Sequence, residues 1–277
     1  MSASEPIEKV KPTSSVDRKK SSPASRIRRL RVLRITFYQL LLIFGILAVW
    51  EFAVSAGLIK VYLYGQPTGI WREMIIALAD GTLLHHTWIT AVEAIIGFTI
   101  GSVFGSAAGL GLWMSPGLAL VLRPLMVAAN GVPKIALAPL IIVWFGVGME
   151  SKIAIAAIIT FIVALITAYA GTEEVDDDLI RLMRSLGAKR FQIFCKIVIP
   201  ASVPWVISGF RLNVGFALIG AVVGEYISSE EGLGYLTYYS GVLYNLNATW
   251  LGIIALMILA LIMDYVVGIF EKKFKWS

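Results

Sequence analysis

Six stretches of this chain are apolar over lengths that suit a bilayer: roughly 35–57, 87–112, 118–145, 152–171, 203–227 and 247–270. A hydrocarbon core of ~30 Å takes ~20 helical residues to cross. Inside lipid each backbone polar group must be satisfied within its own segment, so runs of this kind form helices. Composition agrees, with 58% hydrophobic and 15% charged residues, against about a quarter charged in a soluble domain. That balance excludes an ordinary cytosolic enzyme and predicts an all-α polytopic membrane protein with about six transmembrane helices. The third stretch is overlong and contains Pro133 and Pro139. Proline removes a backbone donor and clashes with the preceding turn, so this span is predicted to be broken. The single cysteine, Cys195, forbids an intrachain disulfide, and no zinc-type ligand cluster is present. No metal or cofactor is expected in the chain itself.

Charge placement predicts orientation. Of 24 Lys and Arg residues, nineteen fall in segments that are cytoplasmic if the N-terminus is inside; Lys60, Arg72 and Lys152 fall outside, and Lys134 and Arg211 lie within spans. Positive charge accumulates on the cytoplasmic side, so both termini are expected there, in a bacterial cytoplasmic (inner) membrane. Residues 1–34 read as a basic, disordered cytoplasmic arm, 35–271 as the transmembrane domain, and 272–277 as a cytoplasmic tail. A secretory signal fits poorly, because the apolar stretch from Ile35 exceeds a ~7–15-residue signal core and lacks a small-residue cleavage site. The arginines at 26–34 read as a positive-inside anchor beside lipid rather than a nucleic-acid contact.

Gly97, Gly101, Gly105 and Gly109 recur every four residues in the second span, a face that lets a neighbouring helix pack closely. Packing within the subunit is the expected use. Gly215, Gly220 and Gly224 repeat the device more weakly in the fifth span. The cytoplasmic loop 172–202 is organised too. It opens with Glu173, Glu174, Asp176, Asp177 and Asp178, continues through Arg181 and Arg184, and reaches Gly187. Acid early, base late and glycine past the end are the marks of a short helix. Val175, Leu179, Leu182, Met183 and Leu186 give it an apolar stripe, which must bury against lipid, the chain's own spans or a partner's groove. A second helix is expected from about Lys189 to Val198, ending at Pro200.

Gly187, nine intervening residues and then Ile197-Val198-Ile199-Pro200 resemble the cytoplasmic coupling-loop signature of binding-protein-dependent ABC importer permeases. The Glu-Ala-Ala upstream in that signature is replaced by Arg181, Leu182 and Met183. Ala138-Pro139-Leu140 with Trp144-Phe145-Gly146, Ser208-Gly209-Phe210-Arg211, Gly224-Glu225 and Gly232-Leu233-Gly234 are similar to the nitrate/sulfonate/taurine (SsuC/TauC-like) branch. The resemblance covers most of residues 35–270. It implies a type I, MetI-like permease that forms a homodimer with a second copy. Each coupling helix, here Leu179, Leu182, Met183, Leu186 and Gly187, would dock on one of two ABC ATPase subunits. An extracytoplasmic substrate-binding protein would deliver a small solute, most simply an anion such as nitrate, a sulfonate or taurine. A pyrimidine precursor or another small organic solute is the alternative.

ATP chemistry is expected elsewhere. The chain has no Gly-x-x-x-x-Gly-Lys-Ser/Thr and no Gly-Lys dipeptide, so it lacks the amide cradle and lysine that hold phosphates. It is not expected to be an enzyme, and ATP and Mg are expected on the partner ATPase. A passive channel or membrane scaffold would equally lack that loop, but the organised loop 172–202 argues against it. A permease-like sensor would need a signalling domain for which these 277 residues leave no room.

Ionisable groups within spans default to functional candidates. The candidate pathway residues are Glu93, Asn130, Lys134, Arg211 and Glu225. Lys134 and Arg211 either draw an anion into a cavity or pair with Glu93 and Glu225. His85 and His86 are adjacent, about 100° apart on a helix, and do not form a paired metal site; they read as interface histidines. Tyr226, Tyr235, Tyr238, Tyr239, Tyr244 and Trp250 read as an interfacial belt, with Glu225, Glu230 and Glu231 in a solvated loop.

Overall fold

A computed structural model describes residues 23–274, which contain no strand. The helices are α1 (Pro23–Ser55), the short α2 (Val61–Tyr64) and α3 (Pro67–Ala79), α4 (Thr82–Leu112), α5 (Pro116–Gly131), α6 (Ala138–Phe145), α7 (Met149–Glu173), α8 (Asp177–Ser185), α9 (Arg190–Ile193), α10 (Ile199–Ser228), α11 (Leu233–Val242) and α12 (Leu246–Phe274). Five segments are long and apolar enough to cross a membrane: Arg34–Ser55, Thr82–Leu112, Met149–Glu173, Arg190–Ser228 and Leu246–Ile269. The predicted broken span is α5 followed by the 3-10 turn Lys134–Leu137 and α6, bent by 92°. The break falls at Pro133, whereas Pro139 sits in the first turn of α6, where a missing N–H costs nothing.

Helix α1 starts at Pro23, inside the segment expected to be disordered up to residue 34; proline in a first turn and a run of arginines both suit a helix. The expected arm before residue 23 and the last three residues of the tail lie outside the described residues.

In the unit formed by residues 53–277, α4, α7 and α10 pack against one another. The glycine stripe of α4 is what allows this. A Cβ at Gly97 would lie 2.5 Å from the Cβ of Ala156, and one at Gly101 would collide with Thr160. At Gly105 and Gly109 it would meet the carbonyls of Phe161 and Leu165. From α10, Gly220 packs on the same Ala156 and Gly209 packs on Thr167, while Gly215 meets nothing. The seam is pinned by hydrogen bonds as well. Asn213 Nδ2 donates to Ser102 Oγ at 2.9 Å and to the Thr160 carbonyl at 3.0 Å, so one buried side chain joins all three helices. A separate apolar cluster joins α10 to α11 and α12 through Leu218, Leu233, Leu251 and Leu259.

The helix expected to end at Pro200 does not end there. Residues 190–228 run on as one segment, because one wide turn at Phe194–Val198, bonded five residues back, precedes the proline. Such a turn shifts the hydrogen-bond register where Pro200 could not have donated.

Candidate functional site

Four groupings hold the candidate residues, and the first is α8. Asp176 caps it, its carboxylate accepting from the Asp178 N–H at 2.8 Å. The other end closes on Gly187 at φ +81°, a left-handed conformation that suits glycine. There the Ala188 N–H donates to the Met183 carbonyl at 3.0 Å and the Gly187 N–H to Arg184 at 2.9 Å. The apolar stripe proves to be two faces. Val175 and Ile180 are buried against Ile193 and Val198, with Met183 packed on them. Leu179, Leu182 and Leu186 are exposed, at 46%, 56% and 73%. Ile180, which the sequence pattern did not single out, is therefore the anchor, and Met183 leaves the outward set. Beside it a cavity of about 520 Å³ is lined by Trp113, Pro116, Tyr169, Arg181 and Arg184, so α8 is braced at Ile180 and not packed along its whole length. The following segment is fixed by Arg190, whose guanidinium lies over Trp113 and donates to its carbonyl at 2.7 Å.

The second grouping lies at the break between α5 and α6. The ammonium of Lys134 reaches back to the Asn130 carbonyl at 3.3 Å and to Asn130 Oδ1 at 3.4 Å. A cation at the carbonyl end of a helix satisfies groups that the break has orphaned. Among the described residues, no carboxylate lies within ion-pair distance of Lys134.

Glu93 and Glu225 form the third. They meet neither Lys134 nor Arg211, which corrects the pairing proposed as one alternative above. Their partner is Lys152, read from the sequence as an exterior charge but buried in the first turn of α7, with its Nζ 3.6 Å from Glu93 Oε1. The pattern that could have placed it is present. Glu93 is four residues before Gly97, and Lys152 four before Ala156, so the ion pair heads the two stripes that interlock. Glu225 stands next to Glu93. It accepts from the Thr90 hydroxyl at 2.6 Å and from the Gly234 N–H. Gly232, at φ +104°, passes so close that a Cβ there would overlap the Glu225 carboxylate. Glu225 is thus enclosed under the start of α11, not part of a solvated loop. Two carboxylates and one ammonium closed to solvent need mutual compensation, since an isolated buried charge costs several kcal/mol, roughly.

Arg211 is the fourth and stands apart. It bonds Asp264 at 3.2 Å and Glu271 at 3.0 Å on α12, acids that the sequence reading did not single out. At the end opposite α8, His86 Nδ1 accepts from the Gly232 N–H at 3.0 Å and His85 lies 3.3 Å from Glu231. No group of three or more metal-type ligands occurs among the described residues. Tyr226 with Tyr238 and Tyr235 with Tyr239 form ring pairs, and Trp250 Nε1 donates to the Tyr64 carbonyl at 2.9 Å.

Residues 97–276 match the family model described as "Binding-protein-dependent transport system inner membrane component". The chain is 30% identical over 246 residues to a probable ABC transporter permease protein of Haemophilus influenzae, covering 88% of this chain and all of that one. It is 31% identical to a putative aliphatic sulfonates transport permease protein of Bacillus subtilis, covering 83% and 84%. It is also 31% identical to a formylaminopyrimidine transport permease protein of Halalkalibacterium halodurans, covering 76% and 82%. Among solved structures, an inward-facing MetNI methionine ABC transporter chain superposes with TM-score 0.64 at 18% identity, over 72% of this chain and 98% of that one.

Proposed function

This chain belongs to the family of binding-protein-dependent transport system inner membrane components and is an ABC importer permease, and from that premise we propose that two copies form the pathway for a small anion, driven through α8 by separate ATPase subunits. The observation that carries the coupling assignment is the exposed row Leu179, Leu182 and Leu186 on a helix anchored from behind by Ile180. An apolar face of this kind suits a partner's groove, while the anchor passes the partner's movement to the bundle. ATP and Mg bind to the two ATPases, whose closure displaces α8 and shifts the paired bundles between inward- and outward-facing states. A substrate-binding protein delivers the solute at the opposite end. Both termini face the cytoplasm, in a bacterial inner membrane.

Within the pathway, Asn130 and Lys134 are the recognition pair. Lys134 is the candidate cation without a carboxylate partner among the described residues, whereas Arg211 is already engaged by Asp264 and Glu271. Glu93 and Glu225 are closed inside the bundle and act on its architecture. An anion such as a sulfonate, taurine or nitrate suits Lys134 and agrees with the Bacillus subtilis relative. The formylaminopyrimidine permease is as similar, and a neutral heterocycle would use Asn130 instead.

Replacing Leu182 with glutamate tests the coupling assignment. The side chain is 56% exposed, so insertion and folding should be normal. Loss of a docking anchor costs about 2–4 kcal/mol, roughly 30- to 1,000-fold in affinity. The variant should reach the membrane, fail to retain the ATPase on affinity purification, and show no uptake. Wild-type ATPase retention and uptake would remove α8 from the coupling role.

A further inference from the structure

Three successive amides begin the turn into α11, and each has its own acceptor. The Gly232 N–H donates to His86 Nδ1 at 3.0 Å, the Leu233 N–H to Thr90 Oγ1 at 2.7 Å, and the Gly234 N–H to the Glu225 carboxylate. Thr90, His86 and Glu93 lie on one face of α4, so this turn is the cover over the buried acids. Of the three acceptors, the ring nitrogen is the one that a modest pH change can abolish. A neutral imidazole accepts on one nitrogen and donates on the other; an imidazolium only donates. The contact to Gly232 therefore exists with His86 neutral and its proton on Nε2. With the ring charged, donor faces donor.

We infer that His86 is a proton-sensitive clasp, whose protonation releases Gly232 and loosens the start of α11 at the end of the bundle opposite α8. The surrounding charges do not reverse this sign. Burial of the ring weighs most against a charged His86, His85 on the same helix adds repulsion, and Glu231 attracts it. Glu230 shares the loop with Glu231, the Tyr235 ring of α11 lies 6.2 Å away, and Glu225 sits beyond Gly232, paired with the Glu93–Lys152 set. Protonation of His85 would draw Glu231 closer and so hold the loop. That pair is more than half exposed, 56% and 57%, where solvent screening leaves an ion pair weak. The Gly232–His86 contact is half-buried, and its loss leaves an amide facing a like group.

The test reads the turn directly and does not depend on the substrate or on coupling. Hydrogen exchange of residues 229–236 is measured on the purified full chain in lipid nanodiscs at pH 7.5 and pH 5.5. Three variants are compared with wild type, which cancels the intrinsic pH dependence of exchange. In His86→Asn, Oδ1 takes the place of Nδ1 and does not titrate. His86→Ala has no acceptor, and His85→Asn leaves the clasp in place. At pH 7.5, wild type should be protected at least tenfold more than His86→Ala, and at pH 5.5 its protection should fall measurably toward that variant. His86→Asn should show one level of protection at both values, whether its amide oxygen reaches Gly232 or not. His85→Asn should keep the wild-type response. Protection in His86→Ala equal to wild type at pH 7.5 would overturn the inference. So would wild-type protection that persists at pH 5.5, a pH response retained in His86→Asn, or one lost in His85→Asn.

Discussion

Replacing Gly101 with alanine adds one methyl group at the closest approach of α4 and α7. The new Cβ would collide with Thr160 Oγ1 and the Ala157 carbonyl, and would lie 2.8 Å from the Phe161 nitrogen. Two of these three atoms are backbone and cannot rotate aside. The helices must therefore part until contacts return to the ordinary 3.4–4 Å. Forcing an extra carbon into a packed core costs about 1–3 kcal/mol. Separation also stretches the Thr160 hydroxyl bond to the Gly97 carbonyl, now 3.2 Å, and one arm of the Asn213 bridge between Ser102 on α4 and Thr160 on α7; interhelical bonds of this kind average ~0.6 kcal/mol in a membrane. Alanine's better helix propensity returns up to about 1 kcal/mol, leaving a net loss of about 1–3 kcal/mol. At ~2–4 °C per kcal/mol for a chain of this size, the apparent Tm should fall by roughly 2–12 °C. Tryptophan fluorescence during heating in detergent would record it. Gly111→Ala is the internal control: it lies on the same helix but meets nothing within 4 Å, and its Tm should be unchanged or slightly raised. If the two variants melt together, the glycine stripe does not form this seam and the three-helix arrangement is wrong.

Lys134→Met should raise the KM for an anionic solute by about tenfold or more, since hydrogen bonds to charged groups contribute ~1.5–3 kcal/mol, while basal ATPase activity and assembly stay normal; unaltered uptake would remove Lys134 from the pathway. Lys152→Met breaks a buried ion pair, for which losses run ~3–5 kcal/mol, and should sharply reduce yield and Tm. Glu93→Gln in the same chain should restore much of that loss, and strict additivity of the two changes would show that they are not coupled. Ile180→Glu, unlike Leu182→Glu, places a charge in a site that is 7% exposed; limited proteolysis should then cut within 173–190, and a protease-resistant loop would show that Ile180 is not the anchor.

The spans were legible because each is a long apolar run, and their composition carries the signal whatever their packing. The break at Pro133 was legible from proline chemistry. The close-packing face of α4 could be read as well, but its partner could not, because the notable residues there are glycines and the answering residues are ordinary. Ala156, Thr160, Ala164 and Ala168 repeat at the same interval as Gly97 to Gly109, and only the pair of patterns identifies the seam. Lys152 escaped for a related reason. At a span boundary a lysine reads as an interfacial charge, and its place at the head of the alanine stripe becomes informative only beside Glu93 on the facing helix. On α8, nine residues carry two apolar faces. The sequence pattern put Val175 and Met183 in one stripe with Leu179, Leu182 and Leu186 and passed over Ile180, whereas burial sets Val175, Ile180 and Met183 on one face and the three leucines on the other. Arg211 was recognised as costly without its acids, since Asp264 and Glu271 are more than fifty residues away in the chain. The coupling and pathway roles themselves depend on partners, and no pattern within one chain supplies those.

The continuous segment from Arg190 to Ser228 behaves as a connecting rod with one compliant knee. At 1.5 Å per residue, 39 residues extend ~58 Å, from the neighbourhood of α8 to the acid enclosed beneath α11. Its soft elements all lie low, in the wide turn at 194–198 and at Pro200 and Pro204, where helices bend most readily. Above Trp205 it contains no proline and is clamped to α7 at Gly209, Gly220 and Gly224. A push delivered near α8 therefore has two outlets. Small displacements are taken up by flexing at the knee. Larger ones are passed to α7, which this helix meets closely at Gly209, Gly220 and Gly224. Under the coupling proposed above, the lower third of this one helix would set how much of a displacement at α8 is carried to the acid enclosed beneath α11.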